Sequence, residues 1–122
     1  MPGWKPATLP LVVLPEGAVV ERKTPSDLVA CMTSARERFE RELVRSRYLG
    51  RFVIVVEGDL QDVLAARRQM SEASVIGTLA AWQRRYTGFF FAGSIKIAAE
   101  FSFRFLAGQV AEIERVYQKI KT

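Results

Sequence analysis

Four charged residues follow two short apolar segments and could carry out chemistry together. Glu21, Lys23 and Asp27 lie in the stretch ERKTPSD, directly after AVV, and Glu57 ends the run RFVIVVE. Carboxylates are the ligands that hard divalent cations such as Mg²⁺ prefer. A lysine beside them can position or deprotonate a water molecule and offset the charge that develops on a phosphate. Residue types in this combination are typical of metal-dependent phosphodiester hydrolysis.

The composition narrows the chemistry further. The chain contains no histidine, which excludes histidine-dependent triads, histidine-ligated zinc and histidine general bases. Its single cysteine, Cys31, cannot form an internal disulfide, and we interpret it as a small buried hydrophobic residue. This cysteine usage favours a reducing compartment, and we expect the protein to be cytoplasmic.

Length and charge indicate one basic domain. The 122 residues suit a single core, and we predict one domain over 1–122. The formal net charge of +5 favours a polyanionic partner, which could be nucleic acid, an acidic protein or a membrane surface. No apolar run approaches the roughly 20 residues needed to span a bilayer, and we expect no membrane association through such a segment.

The first elements are predicted to place Glu21 on a hairpin. Residues 1–10 read as an irregular lead-in, followed by a strand (LVVL), a turn (PEG) and a second strand (AVVERK). Pro15 and Glu16 suit a type I turn, and Gly17 suits the left-handed position that follows it. Counting back along both strands from this loop predicts that Leu11 lies opposite Glu21.

The remaining segments predict an α/β domain, with a central sheet covered by helices. Pro25 suits the first turn of a helix capped by Thr24, with a break near Thr33 and Ser34. RFVIVVEG and GFFFAG predict two buried strands. We expect helices capped by Asp59 and Ser71, and a long C-terminal helix over 94–121, capped by Ser94. We keep FSFRF in that helix although its phenylalanines alternate as in a strand.

The strand ends are expected to bring the charged residues together. Residues two apart on a strand share a face, so Glu21 and Lys23 point one way and Arg22 the other. Glu57 ends a neighbouring strand, and sites collect at strand ends of open α/β sheets. We therefore expect three carboxylates and a lysine to converge on one spot. The alternative is a solvated charged rim with no chemical role.

The same stretch resembles the ERKxxxD motif of the XPF family of DNA-repair and recombination nucleases, a branch of the restriction-endonuclease-like fold. DLVACM, RERFERELVR, SVIGTLAAWQRRY and FFFAGS also look like segments of small bacterial and phage-type members, in the same order. The resemblance implies that Glu21, Asp27 and Glu57 ligate Mg²⁺ or Mn²⁺ and that Lys23 assists the attacking water. Arg22 would steady the local structure or contact DNA.

The chain departs from the family pattern at one ligand position. Family members carry a Gly-Asp pair on the preceding strand, and its aspartate binds metal. The matching positions here are Pro10 and Leu11, and nothing in the first ten residues resembles the family's earlier acidic-arginine-acidic motif. Two interpretations follow: a nuclease working with a reduced set of carboxylates, or a catalytically inactive DNA-binding or dimerisation subunit. A truncated version of a longer protein and a module that binds an acidic protein are further alternatives.

Several basic and apolar residues are candidates for contacts with partners. Arg36, Arg84 and Arg85 are candidate DNA contacts, although the run RERFERELVRSR could equally be an exposed helix face stabilised by its own ion pairs. We expect Trp82 to belong to the core. Apolar residues at 106, 110, 113, 117 and 120 form a narrow seam on the last helix. The seam covers this domain's own core or packs on a second subunit, in a homodimer or a heterodimer.

Overall fold

The fold alternates strands and helices around one sheet. The computed structural model describes residues 11–13, 17–48 and 50–121. The elements in chain order are β1 (Leu11–Val13), β2 (Ala18–Lys23), α1 (Pro25–Met32), α2 (Arg36–Ser46), β3 (Arg51–Val56), α3 (Leu60–Ala65), α4 (Glu72–Arg85), β4 (Gly88–Phe91) and α5 (Ile95–Lys121).

The sheet has the strand order β1-β2-β3-β4. β1 pairs with β2 in the antiparallel sense, whereas β2, β3 and β4 are parallel to one another. Because β2, β3 and β4 are parallel, their carboxyl ends lie at one edge of the sheet, and helices connect one strand to the next. The predicted α/β class, with a hairpin, flanking helices and a long C-terminal helix, is confirmed.

The two faces of the sheet are covered by different helices. Ile54 and Val56 of β3 pack with buried residues of α1, α2, α3 and α4, including Leu28, Phe39 and Trp82. Val20, Val53 and Val55 point to the other face, where Ala98 and half-buried phenylalanines of α5 cover them. The domain therefore has three layers, and alternate residues of each central strand belong to different cores.

The predicted hairpin register is confirmed. Leu11 lies opposite Glu21 in the backbone pairing of β1 with β2. Gly17 has the left-handed φ of +87°, as expected for the end of the turn. The turn residues Leu14, Pro15 and Glu16 and the lead-in over 1–10 lie outside the described residues.

The predicted helix starts are also found. Thr24 Oγ1 accepts a hydrogen bond from the backbone N–H of Asp27 at 3.0 Å, and Pro25 opens α1. Asp59 caps α3 in a reciprocal capping box with Asp62, and Ser71 Oγ caps α4. Ser94 Oγ accepts from the N–H of Ile97 at 3.1 Å. Short polar residues thus begin the helices that follow β2, β3 and β4, and a fourth begins α4.

β4 is less enclosed than its sequence predicts. We expected GFFFAG to be a buried strand, but its phenylalanines are only half-buried and Gly88 is exposed. The reason is its place in the sheet: β4 pairs with β3 on one side and is the last strand in the order. FSFRF is helical as predicted, within α5. None of the helices in the described part of the chain has the length and apolar character needed to cross a bilayer.

Candidate functional site

Glu21 and Lys23 form a close pair at the carboxyl end of β2. They lie in register with Ile54 and Val56, so both side chains point toward the layer of α1 to α4. Lys23 Nζ lies 3.4 Å from Glu21 Oε2. Strand periodicity alone predicted that these two residues share a face, and the structure brings them together.

The carboxylate of this pair is almost fully buried. Glu21 is only 7% exposed, and its Oε2 accepts no hydrogen bond of good geometry from the described residues. Burial raises the pKa of the Glu21 carboxyl, the positive charge of Lys23 offsets part of this rise, and Glu42 adds to it. A buried carboxylate oxygen without a donor is costly. Oε2 is therefore held by its ion pair with Lys23, without a hydrogen bond of good geometry from the described residues.

Lys23 stays charged in the same environment. Burial is the largest influence and by itself would lower the pKa of Lys23, but the charge of and hydrogen bond to Glu21, together with smaller contributions from Cys31 and Glu42, outweigh it, and the pKa is raised. The ammonium also lies 5.4 Å from the centroid of the Phe39 ring, within cation–π range. Lys23 is thus held as a cation between a carboxylate and an aromatic ring.

α2 supplies residues to this site that sequence reasoning did not single out. Phe39 of α2 provides the aromatic ring that lies beside Lys23 Nζ. Glu42, three residues later and half-buried, influences the pKa of both Glu21 and Lys23. The three-residue spacing from Phe39 to Glu42 placed both on one helix face, which is the signal that could have identified Glu42.

Glu57 belongs to a different contact. Its Oε2 lies 2.7 Å from Arg22 Nη2, and Arg22 points away from Glu21 because the two are neighbours on β2. The Nε of Arg22 is buried and has no hydrogen-bond partner among the described residues. Arg22 therefore steadies the end of β3 through Glu57, and the structure does not bring Glu57 onto the Glu21–Lys23 pair.

Asp27 lies in the first turn of α1, immediately after β2. Its side chain is exposed, and its backbone N–H is held by the Thr24 cap. Its charge is felt by buried Cys31, one turn later, whose thiol pKa is raised chiefly by burial. Asp27 thus lies at the solvent side of the site, and its predicted role as a metal ligand stays a prediction.

A divalent cation would find few ligands at this site. Glu21 Oε2, which has an ion pair with Lys23 but no hydrogen bond of good geometry, suits a cation, but Leu11, opposite it, has no oxygen to offer from its side chain. Over the residues that the structure describes, no three or more His, Cys, Asp or Glu side chains are grouped so that they could hold a metal ion. Magnesium usually keeps several waters and is held by one or two carboxylates together with substrate phosphates. The described residues therefore do not build a complete metal centre by themselves.

The candidate DNA-contacting arginines lie on α2 and α4. Arg36 pairs with Glu40 at 3.3 Å, and its guanidinium carbon lies 5.7 Å from the centroid of Trp82. Arg84 and Arg85 are exposed in the last turn of α4. The prediction that Trp82 belongs to the core is confirmed, since it is 1% exposed. Contact of the three arginines with DNA stays a prediction.

Comparison with known proteins gives a family. The ERCC4 domain model matches residues 2–103 of the chain. No curated protein and no solved structure matches significantly. ERCC4 domains have the restriction-endonuclease-like fold; those that are nucleases act on DNA, often as dimers, and generally depend on a divalent metal. The match covers most of the chain and includes the ERK segment at the end of β2. The chain therefore belongs to the ERCC4 domain family of XPF-type nuclease and DNA-repair domains.

Proposed function

We propose that this chain is a DNA-binding domain of the XPF type whose cleavage site is reduced to Glu21 and Lys23. One observation carries the proposal: the single carboxylate on the inner face of β2 faces a leucine position on β1, while Glu57 is paired with Arg22. A divalent cation and its phosphate would therefore meet one buried carboxylate here, where the family provides an additional aspartate.

The same edge of the sheet suits the phosphate backbone of DNA. Lys23 ends β2, and α1 and α5 both begin close to this edge, the first directly after β2 and the second three residues after β4. Helix amino termini present free N–H groups and a partial positive charge. Arg84 and Arg85 add exposed positive charge at the opposite edge, because α4 ends just before β4 begins. Contacts to phosphate give affinity without sequence preference.

A second candidate is a Mg²⁺- or Mn²⁺-dependent endonuclease that works with the reduced carboxylate set. The observation that favours it is the buried Oε2 of Glu21, which has the Lys23 ammonium at 3.4 Å but no hydrogen bond of good geometry in the described structure. An acceptor that the protein leaves unsatisfied is expected where an external cation completes the site. Branched or junction-containing DNA is the substrate class that we propose for this activity.

Cleavage assays separate the two candidates. Labelled duplex, flap and junction DNA would be incubated with Mg²⁺ or Mn²⁺ and with the parent chain, Glu21→Ala or Leu11→Asp. We expect no cleavage by the parent and a gain of cleavage in Leu11→Asp, because the aspartate would stand opposite Glu21. Cleavage by the parent that is lost in Glu21→Ala would instead establish the endonuclease.

Binding is measured independently of cleavage. Fluorescence anisotropy with labelled DNA over a series of salt concentrations should show a steep fall in affinity as salt rises. Replacing Arg84 and Arg85 together by alanine should weaken binding and lower the salt slope by about 2. Replacing Arg104 and Arg115 together by alanine is the matched control, because it also removes two exposed positive charges, here from α5. Salt-independent or undetectable binding would contradict the proposal.

We also propose that the chain works with a second subunit held through α5. The family often forms dimers, and the apolar seam predicted on this helix is exposed over its last turns. A cytoplasmic location and a role in recombination stay predictions from the sequence.

A further inference from the structure

The outer edge of β4 has no neighbouring strand in the described part of the chain. β4 is the last strand in the sheet order and pairs with β3 alone. The backbone N–H of Ala92 donates to the carbonyl oxygen of Val56 at 3.0 Å, so the backbone groups of Ala92 face β3. Because successive residues of a strand direct their N–H and C=O groups to opposite sides, those of Phe89 and Phe91 point to the outer edge. Two donors and two acceptors are therefore available to an added strand.

This edge lacks most of the features that keep an open strand from pairing. Proteins usually protect such an edge with a charged side chain, a proline, a bulge or a very short strand. β4 consists of Gly88 and three phenylalanines, without charge or proline, and its register with β3 contains no bulge. Only its length of four residues is protective. The three phenylalanines are half-buried, so an added strand would cover apolar surface as well as backbone groups.

A shallow groove lies beside this edge, on the side of the sheet that α5 covers. We call it the β4 groove; it is lined by Phe90, Ile97, Glu100, Phe101 and Arg104. The rings of Phe90 and Phe101 are stacked at a centroid distance of 3.9 Å, and Ile97 beside them is 41% exposed. Alternate side chains of a strand point to the same face of a sheet. Every second side chain of an added strand would therefore lie on the α5 side, where the groove offers apolar contacts.

The charge around the edge is mainly positive. Arg84 and Arg85 are exposed in the last turn of α4, and β4 begins three residues after Arg85. Arg104 in the β4 groove pairs with Glu100 at 3.2 Å, but these side chains are 77% and 53% exposed. An ion pair exposed to this degree is weak, so Arg104 can exchange its partner for another acid. Three bases against one acid favour an acidic partner at this edge.

We propose that the outer edge of β4 binds an extended acidic peptide of another protein, which joins the sheet as a fifth strand. Backbone hydrogen bonds to Phe89 and Phe91 would provide affinity, and the β4 groove would receive alternate apolar side chains. Arg84, Arg85 and Arg104 would select a peptide with acidic residues beside its apolar ones. A second copy of this chain would bring the same arginines and a net charge of +5 to the edge, so charge complementarity disfavours it as the occupant.

Fluorescence anisotropy with a labelled peptide, in the absence of DNA, tests the inference. The probe alternates valine with threonine over six residues and carries two glutamates at each end. Because β4 offers only a short edge, we expect the parent to bind the probe with a Kd of about 10–100 µM. The same peptide flanked by glutamines should bind about three- to tenfold more weakly. Equal binding of the two peptides, or no binding by the parent up to about 1 mM, would overturn the inference.

N-methylation of the probe tests whether the peptide pairs as a strand. One version is methylated on the backbone nitrogens of the valines and the other on those of the threonines. Because the N–H groups of alternate residues point to opposite sides of a strand, one set faces β4 and the other faces solvent. One version should therefore lose binding by at least about tenfold, whereas the other should keep it within about threefold. Equal effects of the two methylations would show that the peptide does not add to the sheet.

Two variants of α5 test the β4 groove. Ile97→Glu places a negative charge in the groove and should weaken binding of the acidic probe by at least about tenfold. Ile95→Glu is the matched control, because it adds the same charge to the same turn of α5 at a residue that is 65% exposed and lies outside the groove. It should change the Kd by less than about twofold. Equal weakening by the two variants would contradict binding at this groove.

Charge reversal tests the selection of acidic residues. Arg84→Glu combined with Arg85→Glu should make the chain prefer a lysine-flanked probe, whereas Arg38→Glu combined with Arg41→Glu, at two exposed positions of α2, should not. The same change of preference in both double variants would overturn the assignment of the site. Circular dichroism checks that each variant keeps its fold. A chain that binds the probe but not DNA refutes only the proposed function, whereas a chain that binds DNA but not the probe refutes only this inference.

Discussion

The buried indole of Trp82 offers the sharpest test of how α2 is attached beneath the site. Trp82 is 1% exposed, and its Nε1–H donates a hydrogen bond of 2.9 Å to Glu40 Oε2. The Trp82 ring meets Phe39 edge to face at a centroid distance of 5.2 Å, and Phe39 in turn supports Lys23. Glu40→Ala should therefore loosen a contact that reaches the site through two aromatic rings.

The expected loss of stability in Glu40→Ala comes from the groups that lose their partner. Removing Glu40 leaves a buried N–H donor without an acceptor, which costs about 1–3 kcal/mol. The ion pair of Glu40 with Arg36 is lost as well, but the two side chains are 34% and 44% exposed, so this loss adds at most about 1 kcal/mol. We expect a fall of about 2–3 kcal/mol in the free energy of unfolding, most of it from the indole.

Urea unfolding followed by tryptophan fluorescence measures this change, and two further variants apportion it. Glu40→Gln keeps an oxygen acceptor for the indole and should recover most of the loss. Arg36→Ala removes the ion pair alone and should cost less than about 1 kcal/mol. If Glu40→Ala lowers the free energy of unfolding by no more than Arg36→Ala does, the hydrogen bond to Trp82 does not stabilise the fold as argued.

Three further predictions concern the fold and the site. Gly58→Ala should lower the free energy of unfolding by about 1–3 kcal/mol, because an added Cβ would lie 2.7 Å from Pro25 Cγ and 2.9 Å from Asp62 Oδ2. Gly77→Ala, where an added Cβ would meet no neighbouring atom within 4 Å, should instead stabilise α4 by up to about 1 kcal/mol. Thermal unfolding of both variants checks this prediction, and equal losses of stability would contradict it. Because the folded-state pKa of Glu21 is raised, its contribution to stability is fully present below the usual carboxyl pKa and is lost as the pH rises through the raised value. Stability of the parent should therefore fall between acidic and neutral pH relative to Glu21→Gln, and parallel pH profiles of the two chains would refute the raised pKa. Cys31 is buried with a raised thiol pKa, so it should react with a thiol reagent only as fast as the domain opens, and immediate reaction in native buffer would show that it is accessible.

Much of the fold was predictable because its signals are local. Thr24 and Pro25 define the start of α1 within four residues, and Gly17 fixes the hairpin register that sets Leu11 opposite Glu21. These features depend on neighbours in the sequence, so the sequence is enough to find them.

The sequence-based predictions failed where the position of a side chain depends on packing between segments that are distant in the sequence. Glu57 follows a strand as predicted, but whether its side chain meets Glu21 or Arg22 depends on the register of β3 against β2, which no short motif encodes. The exposure of β4 depends on strand order. The spacing of Glu42 from Phe39 places both on one face of α2, but the sequence does not say that this face lies beside Glu21 and Lys23. Periodicity identifies faces but does not say which faces meet.

The side chains of the three residues of the ERK segment point toward two different layers of the domain. Glu21 and Lys23 face α1 to α4, whereas Arg22 is directed to the α5 side and holds Glu57. Double-mutant cycles should consequently find strong energetic coupling within each pair, 21 with 23 and 22 with 57, and near-additivity between the pairs. If natural selection for cleavage were relaxed, we would expect Glu21 and Lys23 to be substituted together, while Arg22 would be retained. The survival of Arg22 in a diverging sequence would report intact architecture, and the survival of Lys23 would report retained use of the site.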